Sequence, residues 1–211
     1  MIQTGMHGEW ISRTLGMLAC LCLGVFGAEV APAEKVLDGK TYWLSFDEEF
    51  DGKELDPTKW EHRGLGPSAT HKQIWTKDGA FLDGQGRLVM LLYTKDKSSL
   101  GLTESNAVVF PGKWVPHTAM LRTKKEFTFG YHEVRFTMPI VKGVGMSVWM
   151  QSRGNTRPNP SPDPKQGAEI DLIEQTFFDK YGTPVDFKHS TIHWGGYAAT
   201  HSWLSIDVRS K

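Results

Sequence analysis

Cysteine is almost missing from this chain: there are two in 211 residues, Cys20 and Cys22, both inside one apolar N-terminal segment. Beyond that segment there is no thiol, which excludes a disulfide framework and a thiolate metal centre. Stability must then come from a packed core. An excess of either charge is also missing, with 24 basic and 24 acidic side chains. That balance selects neither nucleic acid nor an anionic membrane surface as a partner. The chain has no internal repeat, no phosphate-cradling glycine loop and no Gly-x-Ser-x-Gly elbow. No histidine pair has zinc-ligand spacing on a helix, so no metal is expected among the site residues. Helical periodicity is scarce beyond the N-terminal segment.

The N-terminus has the pattern of a secretory signal. Arg13 precedes an apolar run from Leu15 to Phe26, followed by the small residues Gly27, Ala28, Ala31 and Ala33. Cleavage after Gly27, Ala28 or Ala33 fits equally. The run is short for a membrane span; an uncleaved anchor and a lipoprotein signal ending at Cys20 are the alternatives. The expectation is a signal peptide and short leader over 1–33 and one domain over 34–211. The mature protein is expected to be secreted or periplasmic, monomeric and free of membrane after cleavage. About 180 residues remain, enough for a sizeable core.

Short strands with turn signals dominate the remainder of the sequence. Tyr42 to Phe50 reads as a strand closed by the turn Asp51-Gly52, with its acids as turn formers and surface charges. Leu88 to Tyr93 reads as a buried strand, and Thr118 to Thr123 as another. The clearest alternation is Glu133 to Met138, which sends Val134, Phe136 and Met138 to one face. Glu133 and Arg135 share the other face as solvated charges. Gly145 to Met150 is an apolar strand carrying Trp149. The proline-rich stretch 153–166 excludes helix and central strand and reads as a long loop. His189 to Trp194 alternates again. Strands of this kind without helices point to a β-sandwich.

The chemistry concentrates in Glu169-Ile170-Asp171-Leu172-Ile173-Glu174, three carboxylates within six residues. In a strand, Glu169 and Asp171 share a face, while Glu174 has the opposite parity. One bulged residue at Leu172-Ile173 brings Glu174 back to that face. Helical spacing of Ile170, Ile173 and Phe177 leaves an amphipathic helix with a solvated acidic side as the other reading. Two carboxyl groups on one face suit glycoside hydrolysis with retention, which needs them about 5–5.5 Å apart. A central Asp171 keeps the protonation states of its neighbours distinct, because close carboxylates are not all ionised at low cost.

This Glu-x-Asp-x-x-Glu stretch resembles the signature of glycoside hydrolase family 16, in its bulged laminarinase-, agarase- and carrageenase-like branch. The opening Phe46-Asp47-Glu48-Glu49-Phe50-Asp51-Gly52, with Leu55-Asp56 and Lys59-Trp60, resembles that family's opening. Phe129-Gly130-Tyr131-His132-Glu133-Val134-Arg135 and the His189-to-Trp194 strand add to the resemblance. It implies an all-β jelly-roll sandwich, concanavalin A-like, of two curved antiparallel sheets. Family domains continue for several strands past the His-Trp segment, so the resemblance implies a sandwich lacking its last strands. It implies a secreted endo-acting hydrolase of β-linked polysaccharide, a β-1,3-glucan or an algal galactan. Glu169 is the implied nucleophile, Glu174 the acid/base and Asp171 their partner. Trp149, His193 and Trp194 are the implied substrate-binding residues. No cofactor is required for the chemistry; the resemblance leaves the family's structural calcium open, its site not mappable here because part of it falls in the C-terminal strands the resemblance implies are missing. A carbohydrate-binding protein without catalysis on the same sandwich is the rival reading.

Overall fold

The computed structural model describes residues 2–4, 33–138, 141–152, 168–175, 183, 188–196 and 200–208. The chain forms two compact units, Met1–Phe136 and Thr137–Lys211.

The first unit is built of short strands. In sequence order they are β1 Ile2–Thr4, β2 Glu34–Leu37, β3 Lys40–Trp43, β4 Phe46–Glu48, β5 Trp60–His62, β6 Gly66–Ser68 and β7 Gln73–Trp75. Then come β8 Ala80–Leu82, β9 Leu88–Met90, β10 Tyr93–Asp96, β11 Trp114–Thr118, β12 Leu121–Thr123 and β13 Glu133–Val134. Pairing is antiparallel except between β7 and β11. The one α-helical turn among the described residues is Glu104–Ala107, capped by the Thr103 side chain. β1 lies between β4 and β13, within the stretch expected to be a cleaved leader. A protein processed after Gly27, Ala28 or Ala33 loses that central strand.

The core of this unit forms around Phe46, Phe50 and Trp60, packed by Leu55, Leu82, Leu88, Leu121 and Phe127. Glu48 organises it. One carboxylate oxygen accepts from the Phe50 backbone N–H at 2.9 Å and the other from Trp60 Nε1 at 3.0 Å. Glu48 is therefore a structural acid tied to the core, not a surface charge. Phe50 holds a left-handed φ of 57° while almost fully buried, a conformation that costs an L-residue energy and that its burial offsets.

Three expected strands differ in the structure. Leu88–Tyr93 is not one buried strand: β9 ends at Met90, Leu91 and Leu92 are exposed, and β10 starts at Tyr93. Thr118–Thr123 is broken at Ala119-Met120, which separates β11 from β12. Of Glu133–Met138, only Glu133–Val134 pairs, and Phe136 is exposed. Glu133 is not a solvated partner of Arg135. It accepts from the Tyr131 hydroxyl at 3.1 Å and lies 3.6 Å from the buried Lys35 ammonium.

The second unit is one antiparallel sheet in sequence order: β14 Met146–Gln151, β15 Glu169–Gln175, β16 Lys188–Trp194 and β17 Ser202–Val208. One face is polar. The reverse face carries Ile170, Ile173, Ile192, Leu204 and Ile206 by the alternation of the ladder. Ile173 is buried, while Ile192, Leu204 and Ile206 are exposed.

The Glu48 contacts generate a stability test. Glu48→Ala leaves the Trp60 indole N–H and the Phe50 amide without their acceptor inside the core. Such orphaned donors cost about 1–3 kcal/mol. Chemical denaturation should show a loss of that size, smaller in Glu48→Gln, which keeps an acceptor oxygen.

Candidate active site

The acidic stretch is a strand, not a helix, and it is bulged. Against β16, Glu169 faces His193, Asp171 faces Thr191 and Glu174 faces His189. Three residues of β15 therefore span two of β16 between Asp171 and Glu174. Against β14, Ile173 faces Val148 and Asp171 faces Trp149, so Leu172 has no partner there. Leu172 is the extra residue. Its carbonyl accepts a hydrogen bond from Ser190 Oγ at 2.8 Å, which satisfies a backbone group that the bulge removes from the ladder.

The register sets out three rows across the polar face. The first is Gln151, Glu169, His193 and Trp203; the second Trp149, Asp171, Thr191 and Ser205; the third Ser147, Glu174, His189 and Asp207. All three carboxylates thus share one face, as the expected bulge requires. Glu169 accepts from Gln151 Nε2 through Oε2. Glu174 accepts from Ser147 Oγ at 3.4 Å. Thr191 and Ser205 share a hydroxyl contact at 3.0 Å, and His189 Nδ1 meets Asp207 at 2.7 Å.

Asp171 sits deepest, at 3% exposure, with Ile173 beside it at 6%. Burial first, then the charge of Glu174, then that of Glu169, push its carboxyl pKa from 3.8 up to about 7. Below about pH 7 Asp171 therefore holds a proton between two outer glutamates. Its Oδ2 lies 3.2 Å from His193 Nε2. The pair is close enough for a hydrogen bond, yet none forms to Oδ2 among the described residues, so direction and not distance fails. His193 is fixed from its other side. Its Nδ1 shares a hydrogen with His201 Nε2 at 3.0 Å, the two rings lying 14° from coplanar. Glu169, Asp171 and His193 offer one potential metal-ligating atom each, all within 4.8 Å of one another.

Of the expected site residues, Glu169, Asp171, Glu174, Trp149 and His193 come together. Trp194 does not: it follows His193 by one position, so alternation assigns it to the reverse face. The aromatic on the acid face at this end is Trp203, 62% exposed and opposite His193. Gln151, Ser147, His201 and Trp203 join the site although no local pattern singles them out. The proline-rich loop 153–166 lies outside the described residues.

No family model matches the chain, and no curated protein does. A solved structure does match: the endo-β-1,3-glucanase from Pyrococcus furiosus, at 19% identity and a TM-score of 0.52, over 84% of this chain. The chain spans 65% of that protein's length. The likeness is one of fold, and with the antiparallel sheets described above it places this protein in the all-β, β-sandwich class.

The raised Asp171 carboxyl makes a signed prediction. Its folded-state pKa lies above the unfolded value, so the folded protein holds the extra proton between about pH 4 and 7. Stability therefore falls as pH rises through that window. A rise from 3.8 to about 7, at about 1.4 kcal/mol per pH unit, sets a ceiling on the order of 4 kcal/mol. Asp171→Asn removes this cost. Melting curves should coincide with wild type near pH 4, and the variant should become the more stable protein above pH 7.

Proposed function

We propose that this protein is a retaining endo-glycoside hydrolase acting on β-linked polysaccharide. The observation that carries the reading is the bulge at Leu172, which puts Glu169, Asp171 and Glu174 on one face. A β-1,3-glucan is the favoured substrate, because the matching solved structure is that of an endo-β-1,3-glucanase; an algal galactan is the second candidate. We also propose export from the cytoplasm by the N-terminal segment, in keeping with a polymeric substrate.

In this mechanism Glu169 attacks the anomeric carbon while Glu174 protonates the departing glycosidic oxygen. Glu174, now ionised, takes a proton from water, which attacks the glycosyl-enzyme and releases Glu169. Asp171 stays neutral beside them and keeps a third negative charge away from the glutamate that must carry a proton. Gln151 holds Glu169 from one side, and Ser147 reaches Glu174 from the neighbouring strand. Trp149 and Trp203 lie on the same side of the sheet, and apolar sugar faces stack on aromatic rings. The rival reading, a binding protein without turnover, has the same aromatic surface but no use for the placement of Glu174.

Two tests separate these readings. Glu169→Ala should abolish hydrolysis of laminarin while leaving oligosaccharide binding in place. Azide should restore cleavage of an activated aryl glycoside and yield the azide of inverted configuration. Near-normal laminarin hydrolysis in that variant removes Glu169 from the mechanism.

Insertion of one alanine after Ile173 adds a second out-of-phase position to β15 and turns Glu174 to the reverse face, whereas deletion of Leu172 leaves Glu169-Ile170-Asp171-Ile173-Glu174 in regular alternation with all three carboxylates on one face. Losing the acid/base residue costs about 10²–10⁴-fold in rate. If the lengthened protein folds and still turns over at the wild-type rate, parity is irrelevant and the two-glutamate assignment fails.

A further inference from the structure

We propose that Glu169, Asp171 and His193 also form a reversible binding site for zinc or another late first-row divalent cation, whose occupancy shuts the site down. The binding claim stands on geometry alone; the inhibitory consequence rests on the hydrolase reading above.

Three observations converge. The first is the donor set. Two carboxylates and one imidazole, with ligand atoms within 4.8 Å of one another, match the mixed oxygen–nitrogen chemistry of zinc sites with three protein ligands and one open position. Calcium and magnesium are poor fits, since they require six or more oxygens or a largely hydrated shell.

The second is Asp171 Oδ2. It belongs to a side chain 3% exposed, accepts no hydrogen bond among the described residues, and lies 3.2 Å from His193 Nε2. A tetrahedral ion with bonds of about 2.0–2.1 Å sets its ligand atoms about 3.3 Å apart. The pair is thus spaced as one edge of such a tetrahedron while misdirected for a direct hydrogen bond. Glu169, on the same row as His193, is placed to close the third corner.

The third is the outer shell. A ligating histidine characteristically donates its second ring N–H to a fixed acceptor, and ligating carboxylates are themselves hydrogen-bonded. His193 Nδ1 lies 3.0 Å from His201 Nε2, and the ring's other nitrogen is the one that faces Asp171 Oδ2, at 3.2 Å. Glu169 Oε2 is held by Gln151. Both outer ligands thus come with an orienting partner. Zinc bound here would occupy the nucleophile's carboxylate and set a positive charge where the anomeric carbon must become positive. Hydrolysis would stop until the ion left.

Calorimetric titration of the full-length protein with zinc chloride, with calcium chloride as control, tests this. Wild type should bind one zinc at this site and no calcium there. Asp171→Asn and Glu169→Gln keep side-chain shape and should lose that zinc with folded-state circular dichroism intact. His201→Ala should weaken it by about 10–100-fold, the size of an outer-shell loss. The absence of wild-type zinc binding, or equal affinity in wild type and Asp171→Asn, overturns the proposal; so does unchanged affinity in His201→Ala. Laminarin assays keep the two readings apart. Zinc binding lost in Asp171→Asn, in a protein that never hydrolyses laminarin, sinks the hydrolase reading and leaves the metal site standing. Hydrolysis indifferent to zinc at concentrations that saturate the calorimetric site overturns the inhibitory role.

Discussion

One unpartnered residue governs the chemistry of this protein. Leu172 is the extra position in β15, and its presence shifts the phase of every later residue of that strand. If Leu172 were instead paired regularly, with no bulge, Glu174 would lie on the face of Ile170 and Ile192, and Ile173 among the carboxylates. Two opposing preferences hold the bulge in place. Ile173 gains burial on the apolar side, and Glu174 gains solvent and the Ser147 hydroxyl on the other. The backbone cost is offset by Ser190, whose hydroxyl takes up the carbonyl that the bulge frees from the ladder. A one-residue slip would reverse all of these at once, so the register is strongly specified.

Crowding three carboxylates on one face has an electrostatic cost, and Asp171 carries it. Its outer neighbours each have a polar contact across β14, Glu169 with Gln151 and Glu174 with Ser147. Asp171 is buried between them and accepts nothing at Oδ2 among the described residues. Protonation relieves the strain there, which leaves a neutral acid beside two glutamates that can ionise. Sites of this type trade stability for chemistry. The stability comes from elsewhere in the protein, as in the aromatic cluster tied by Glu48. Two acids of similar sequence surroundings thus have opposite roles. Glu48 anchors a core through an indole, whereas Asp171 perturbs one face of a sheet.

The boundary between local and non-local information runs through particular residues. Alternation and charge content place Glu169 and Asp171 on one face, and the parity conflict at Glu174 by itself requires a bulge. The same local reasoning fails at Leu88–Tyr93, where a continuous apolar run suggests one buried strand. There the backbone leaves the ladder at Leu91-Leu92 and resumes pairing with a different strand. It fails again at Trp194, where family likeness names an aromatic that the register turns away.

The sequence by itself determined the all-β class and, for a strand, which carboxylates could act together and that a bulge was needed; the choice of strand over helix for the acidic stretch came with the structure. Those properties follow from side-chain period and from residue chemistry within a few positions. Only the tertiary structure decided which neighbours those acids have. Gln151 and Ser147 arrive from β14, His193 and Ser190 from β16, and Trp203 from β17. His201, eight positions from the ring it orients, lies just before β17, which pairs with β16 and so brings it to His193. The physical reason is that cross-strand register is a non-local choice. It is set by burial and ladder hydrogen bonds summed along whole strands, and no window of the sequence contains both partners.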